Sequence, residues 1–135
     1  MEIKSFKCNE LSQYVDSMLF DSGERIAEMV FEDNGKEIYI SLEVRGDVKV
    51  FFNEQTYRYP SEFPEELKEI IKGHPILWDC EDDIFIDMNN WFEYIFEVDG
   101  KYSDGIMCEW DISKGTSEDI KREMLEICEY ILKED

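Results

Sequence analysis

The dipeptide Asn34-Gly35 lies between two runs whose apolar residues agree in register, and no other feature restricts the fold of this chain so tightly. Asn-Gly suits the type I′ turn, whose twist matches that of a hairpin. A two-residue loop there sets Phe31 opposite Ile38, Met29 opposite Ile40 and Ala27 opposite Leu42. All six share one face, and Glu37, Tyr39, Ser41 and Glu43 take the other. Arg45-Gly46-Asp47 reads as a three-residue loop that carries the pattern on, with Val44 facing Val48, Leu42 facing Val50 and Ile40 facing Phe52. The expectation is a three-stranded antiparallel meander, buried on one face and wet on the other. A tight turn also explains Arg-Gly-Asp better than an adhesion motif does.

Flanking segments supply helices. Glu2 to Cys8 is a weak strand or lead-in, and Asn9 is placed to cap a helix whose Leu11, Tyr14, Val15, Met18 and Leu19 recur at helical spacing. Asp21-Ser22-Gly23 would end it. Thr56 to Tyr59 reads as a short edge strand stopped by Pro60. Pro64 then suits a first helical turn, followed by Glu65 and Glu66 at the positive end of the dipole, with a stripe of Phe63, Leu67, Ile70 and Ile71 before Gly73. Near the end, Thr116 and Asp119 form a Thr-x-x-Asp start to a helix striped by Ile120, Met124, Ile127, Cys128 and Ile131. Its outer face, with Glu118, Glu123, Glu126, Glu129 and Glu134 against Lys121, Arg122 and Lys133, reads as solvated.

Between these helices, Asp79 to Asp111 combines eleven carboxylates with a single cation, Lys101. Trp78, Phe85, Trp91, Phe92, Tyr94, Phe96, Tyr102 and Trp110 lie among them, so the segment reads as a charged surface over an apolar layer. In 91–98 the even positions Phe92, Tyr94, Phe96 and Val98 form the buried face; in 106–112 it is Ile106, Cys108, Trp110 and Ile112. A two-residue Asp99-Gly100 turn would pair even with odd, so an odd loop, 99–101 or 99–105, is expected. Glu93, Glu97, Glu109 and Asp111 would then share one solvent face with Trp91 and Met107.

At 135 residues one domain is the natural expectation, and 43% hydrophobic content with 14% aromatics is enough for a core. The formal net charge is −20, and it is uneven: residues 1–60 carry twelve acids against seven bases, and residues 61–135 carry twenty-two against seven. So strong a negative field opposes direct contact with nucleic acid or an anionic membrane. Solubility alone is the simpler use of such charge. The opening residues are charged and lack an apolar run, and no segment approaches a membrane span, which gives the expectation of a cytoplasmic protein. Cys8, Cys80, Cys108 and Cys128, with no CxxC spacing, read as reduced thiols.

Catalytic signatures are weak. His74, the one histidine, follows a helix end; there is no Gly-x-Ser-x-Gly, GxGxxG or P-loop. Asp79, Glu81 and Asp83 imitate the start of a calcium loop, but Ile84 stands where glycine is needed and Asn90 where the bidentate glutamate is needed. His74, Cys80 and Cys108 match no zinc spacing. Asp87 and Glu93 are the carboxylates whose apolar neighbours could raise a pKa for acid–base work, although alternating strand carboxylates more commonly mark a wet face. No cofactor is expected, and a metal-dependent enzyme is the weakest reading.

These features lead to an α+β expectation: an antiparallel sheet, built from the meander and a second hairpin, packed by about three helices. Its function would be non-catalytic. The acidic face would bind a basic protein, such as a nuclease or other nucleic-acid-binding enzyme, through Asp79, Glu81, Asp82, Asp83, Asp87, Trp91, Glu93, Glu97, Asp99, Tyr102, Asp104, Glu109 and Asp111. In size and charge, though in no motif, this resembles phage anti-defence inhibitors that mimic DNA and immunity proteins that block basic toxins. A generic adaptor domain is the plainer alternative.

Overall fold

The computed structural model describes residues 2–15, 17–73 and 84–133. Its contacts form two compact units, residues 1–15, 25–43 and 92–135 in the first, and 16–24 and 44–91 in the second. The strands of the first are β1 (Glu2–Cys8), β2 (Arg25–Asp33), the opening of β3 (Lys36–Phe52), the end of β5 (Ile84–Val98) and β6 (Lys101–Met107). Their order is β1-β2-β3-β5-β6. The antiparallel α+β expectation therefore holds at the level of class, with a six-stranded sheet that is larger than a meander plus a hairpin, and two α-helices rather than about three among the described residues.

The hairpin register is the one read from the sequence. Phe31 pairs with Ile38, Met29 with Ile40 and Ala27 with Leu42, and all six are buried. Asn34 (φ 49°) and Gly35 (φ 82°) both occupy the left-handed region that a type I′ turn needs. β1 pairs with β2 along its length as a full strand.

α2 (Ser117–Lys133) covers one face of this unit, burying Ile120, Met124, Ile127 and Cys128. Such side chains contribute about 1.5–3 kcal/mol each when fully buried. Its start is the expected box: Asp119 Oδ2 accepts from Thr116 N at 2.8 Å, and Thr116 Oγ1 accepts from Asp119 N at 3.4 Å. Lys121 lies 5.8 Å from the Phe6 ring, which ties the helix to β1.

The helix expected after Asn9 is instead two 3₁₀ turns, Leu11–Gln13 and Ser17–Leu19. Asn9 does not cap; its amide donates to the Tyr14 hydroxyl (2.9 Å) and the Arg25 carbonyl (3.2 Å). Leu11 and Tyr14 are buried, but Val15 is 73% exposed, so the apolar spacing serves two separate anchors and not one stripe.

In the second unit, β3 supplies residues 44–52, with β4 (Gln55–Tyr57), a 3₁₀ turn at Pro60–Glu62, α1 (Glu65–Gly73) and the start of β5. Arg45-Gly46-Asp47 is not a loop: β3 is one strand of seventeen residues. The even positions stay apolar from Ile38 to Phe52, so alternation runs through Gly46 unbroken. Gly46, at φ 102°, meets another backbone, and a Cβ there would lie 2.7 Å from Asn90 Cα. The glycine permits close approach and not a reversal. Turning at Asn53-Glu54, the chain pairs Val50 with Tyr57 and Phe52 with Gln55. Val48, Val50 and Phe52 then pack with Phe63 and Leu67 at α1, alongside Leu19, Tyr57 and Ile70.

Candidate partner-binding face

The second hairpin positions the candidate site. Asp99-Gly100 is a two-residue turn after all, with φ of 50° and 82°, and Val98 pairs with Lys101. The parity conflict is real, but a bulge resolves it. Phe96 pairs with Ser103 and Tyr94 with Ile106, so one residue of β5, Ile95, stands against two of β6, Asp104 and Gly105. Gly105 lies in the bulge, where a Cβ would stand 2.6 Å from Glu93 Oε2. Ile106 thereby pairs with buried Tyr94, on the face expected for it, and on the edge strand β6 it is 38% exposed.

Two cross-strand pairs result: Glu97 beside Tyr102 and Glu93 beside Met107. Tyr102 is 60% exposed and Met107 54%, and Glu97 is exposed. Among the described residues, Glu97 and Glu109 have no ion-pair partner within 4 Å. This is an acidic strand surface with apolar side chains standing in it.

The other sequence-derived site residues separate. Asp99 has a structural role: its N–H donates to the Glu37 carbonyl and its Oδ1 accepts from Glu37 N, both at 2.8 Å. Glu109 and Asp111 follow the end of β6 and so are not on the strand face; the sequence pattern continues to Ile112, but pairing past Met107 is reduced to Cys108 N–H donating to Phe92 O. Asp111 caps a 3₁₀ turn by accepting from Ser113 N at 3.1 Å, and its bonds to Ser113 hold its carboxyl below the usual range. Asp104 lies in β6 at the bulge. Asp87 and Trp91 belong to the second unit, where Asp87 lines a cleft. Asp79, Glu81, Asp82 and Asp83 lie outside the described residues, as do His74 and Cys80.

Elsewhere in the first unit a polar network occupies the face of Tyr39. Glu28 Oε2 accepts from the Tyr39 hydroxyl and from Arg25 Nη1, each at 2.9 Å, and Arg25 Nε reaches Glu43 Oε2 at 3.7 Å. The bonds from Tyr39, then Arg25, lower the Glu28 carboxyl pKa, while burial and this bond raise the Tyr39 phenol to about 12. One cation thus offsets two carboxylates here, a structural use of charge.

Sequence reasoning missed a second cluster. Glu123, read as solvated, receives the Trp110 indole N–H on both carboxylate oxygens, at 2.9 and 2.8 Å. Beside it, the buried Tyr94 hydroxyl has no partner in hydrogen-bond geometry among the described residues. Burial, reinforced by Glu123, pushes this phenol far above its ordinary pKa, and burial raises the Cys108 thiol to about 11. A tryptophan at a strand end, needing an acceptor, was the only available signal. Neither thiol nor phenol is poised as a nucleophile or base at neutral pH.

No group of three metal-ligating side chains occurs among the described residues, and none of their helices is long and apolar enough to cross a membrane. No family model, curated protein or solved structure matches the chain.

Proposed function

We propose that the protein binds a basic partner through the outer face of β5 and β6, occupying lysines and arginines that would otherwise hold nucleic acid. The observation that carries this reading is the pairing of exposed Glu97 with exposed Tyr102. Desolvated aromatic side chains supply affinity at interfaces, and surrounding carboxylates supply steering and choice of partner. Same-face carboxylates on a strand recur at multiples of about 6.6 Å, a coarser array than phosphates at about 3.4 Å along one nucleic-acid strand, so they engage only some of the partner's cations. The reaction chemistry is nil; the effect is steric and electrostatic exclusion.

A competition assay tests the proposal. Proteins captured from a lysate on the immobilised chain are eluted with salt, and each is then bound to labelled DNA or RNA. The expected result is displacement of the nucleic acid by stoichiometric amounts of the chain. If captured proteins keep their nucleic acid at saturating chain, the proposal fails, and the adaptor or immunity reading replaces it.

A further inference from the structure

The second unit carries an opposition of like charges that the acidic face does not explain. The pairing of β3 with β4 ends at Val50 and Tyr57, and the next residues on the two segments are Lys49 and Arg58. Val48 and Val50 are buried, which leaves Lys49 on the outer side; Arg58 follows half-buried Tyr57 and is itself exposed. Both line one cleft of about 490 Å³. Like charges gathered at the end of an antiparallel pair oppose each other as they do within one. In a chain with 34 acids and 14 bases, a carboxylate partner for each would be easy to supply, yet among the described residues neither cation has one within 4 Å.

The rest of the lining is selective. Tyr59, 55% exposed, offers a ring face, while Asp47, Asp87 and Asn89 offer acceptors, with one amide donor among them. Two cations side by side match a doubly charged oxyanion, with Arg58 as a fork and Lys49 as a point charge. Acceptors nearby suit hydroxyl groups, not a second anion. Charges more than about 8 Å away are largely screened at physiological salt, so the net charge of the chain does not forbid an anion here.

From this geometry we infer that the cleft binds the phosphoryl group of a small hydroxylated organic phosphate between Lys49 and Arg58, with its organic part against Tyr59. The site shares no residue with the Glu97 and Tyr102 pair and does not depend on the function proposed for it.

The test is a titration of the full chain, followed by amide chemical shifts, with inorganic phosphate, ribose 5-phosphate, adenosine monophosphate, adenosine and malonate. Saturable shifts centred on Lys49, Arg58 and Tyr59 are expected below about 10 mM for the phosphates. Organic phosphates should bind about tenfold tighter than inorganic phosphate. Lys49→Gln and Arg58→Gln should each weaken binding by about tenfold or more, because each removes a charge-assisted bond. Lys49→Gln also relieves the like-charge opposition, so its melting temperature without ligand should not fall, which keeps the test valid if Arg58→Gln folds poorly. Absence of saturable binding by any phosphate overturns the inference. Equal binding of malonate, or organic phosphates no tighter than inorganic phosphate, overturns it as well.

Discussion

Asp99 and Glu37 are joined by two hydrogen bonds of 2.8 Å, one from each backbone N–H, although they are separated by 62 positions in sequence. The turn of the second hairpin is thereby tied to the beginning of β3. Asp99 also holds φ 50°, which aspartate tolerates better than alanine. Asp99→Ala is therefore expected to cost about 1–3 kcal/mol, through a lost charged acceptor and an unfavourable φ. Asp99→Asn keeps an acceptor and a tolerated conformation and should cost less than half as much. Urea unfolding with an unchanged slope checks both.

Gly46 gives a larger effect. Any side chain there meets the backbone at Asn89 and Asn90, which cannot move aside as a flexible side-chain tip could, and φ 102° adds strain. Gly46→Ala should destabilise by more than about 3 kcal/mol or prevent folding. Gly35, with nothing within 4 Å of an added Cβ, should tolerate Asn at the cost of its φ alone. Thermal melting of the two variants side by side separates crowding from turn strain.

How much of this was legible follows from where parity is decided. The hairpin at Asn34-Gly35 could be read residue by residue because turn chemistry and alternation agree there. Gly46 is not decidable from sequence because a glycine between two charged residues looks the same whether the chain reverses or another strand approaches, and the apolar phase from Val44 to Phe52 is identical in the two cases. At Asp99-Gly100 the parity conflict is visible in sequence, but a bulge and a three-residue loop resolve it equally well, because both set Ile106 beside Tyr94. The acidic site was legible as composition. Which carboxylates accept from backbone N–H groups, as Asp99 and Asp111 do, depends on backbone partners that no pattern encodes.

Acid should reveal the hydrogen-bonded carboxylates. Hydrogen bonds from Thr116, then Arg122, depress the Asp119 pKa, and those from Tyr39 and Arg25 depress that of Glu28. A depressed folded pKa contributes stability above the unfolded value, and that stability disappears as pH falls through the folded value. Loss should therefore begin near pH 4.5 and continue below 3.8, the ordinary values of the two groups. Glu24, raised by burial and by Asp21, acts in the opposite direction. Asp119→Asn should flatten the decline in melting temperature between pH 5 and pH 3 relative to wild type.

Thiol reactivity provides an independent probe of burial. Burial raises Cys108 to about 11 and Cys128 to about 12, so both are thiols and not thiolates at pH 7.5. Cys8 is raised too, by partial burial and then Glu10. Labelling with a disulfide reagent should be slow for these three in the native protein and fast in denaturant, with Cys128 the slowest. Rapid native labelling of Cys128 would show that α2 opens from its unit.

The decisive question for the acidic face is whether position or total charge matters. Glu93→Lys with Glu97→Lys changes net charge by four on the candidate face. Glu118→Lys with Glu129→Lys makes the same change on exposed positions of α2. Long-range steering depends on the summed field, so both pairs should slow association to a similar extent at low salt. Contacts act differently. If Glu97 and its neighbour Tyr102 touch the partner, the first pair alone should raise the dissociation rate, by about tenfold or more, and Tyr102→Ala should do so without any change in charge. Kinetics at two salt concentrations therefore separate the alternatives. Equal dissociation rates for both charge-reversed proteins would mean that the acidity steers and solubilises without recognising anything.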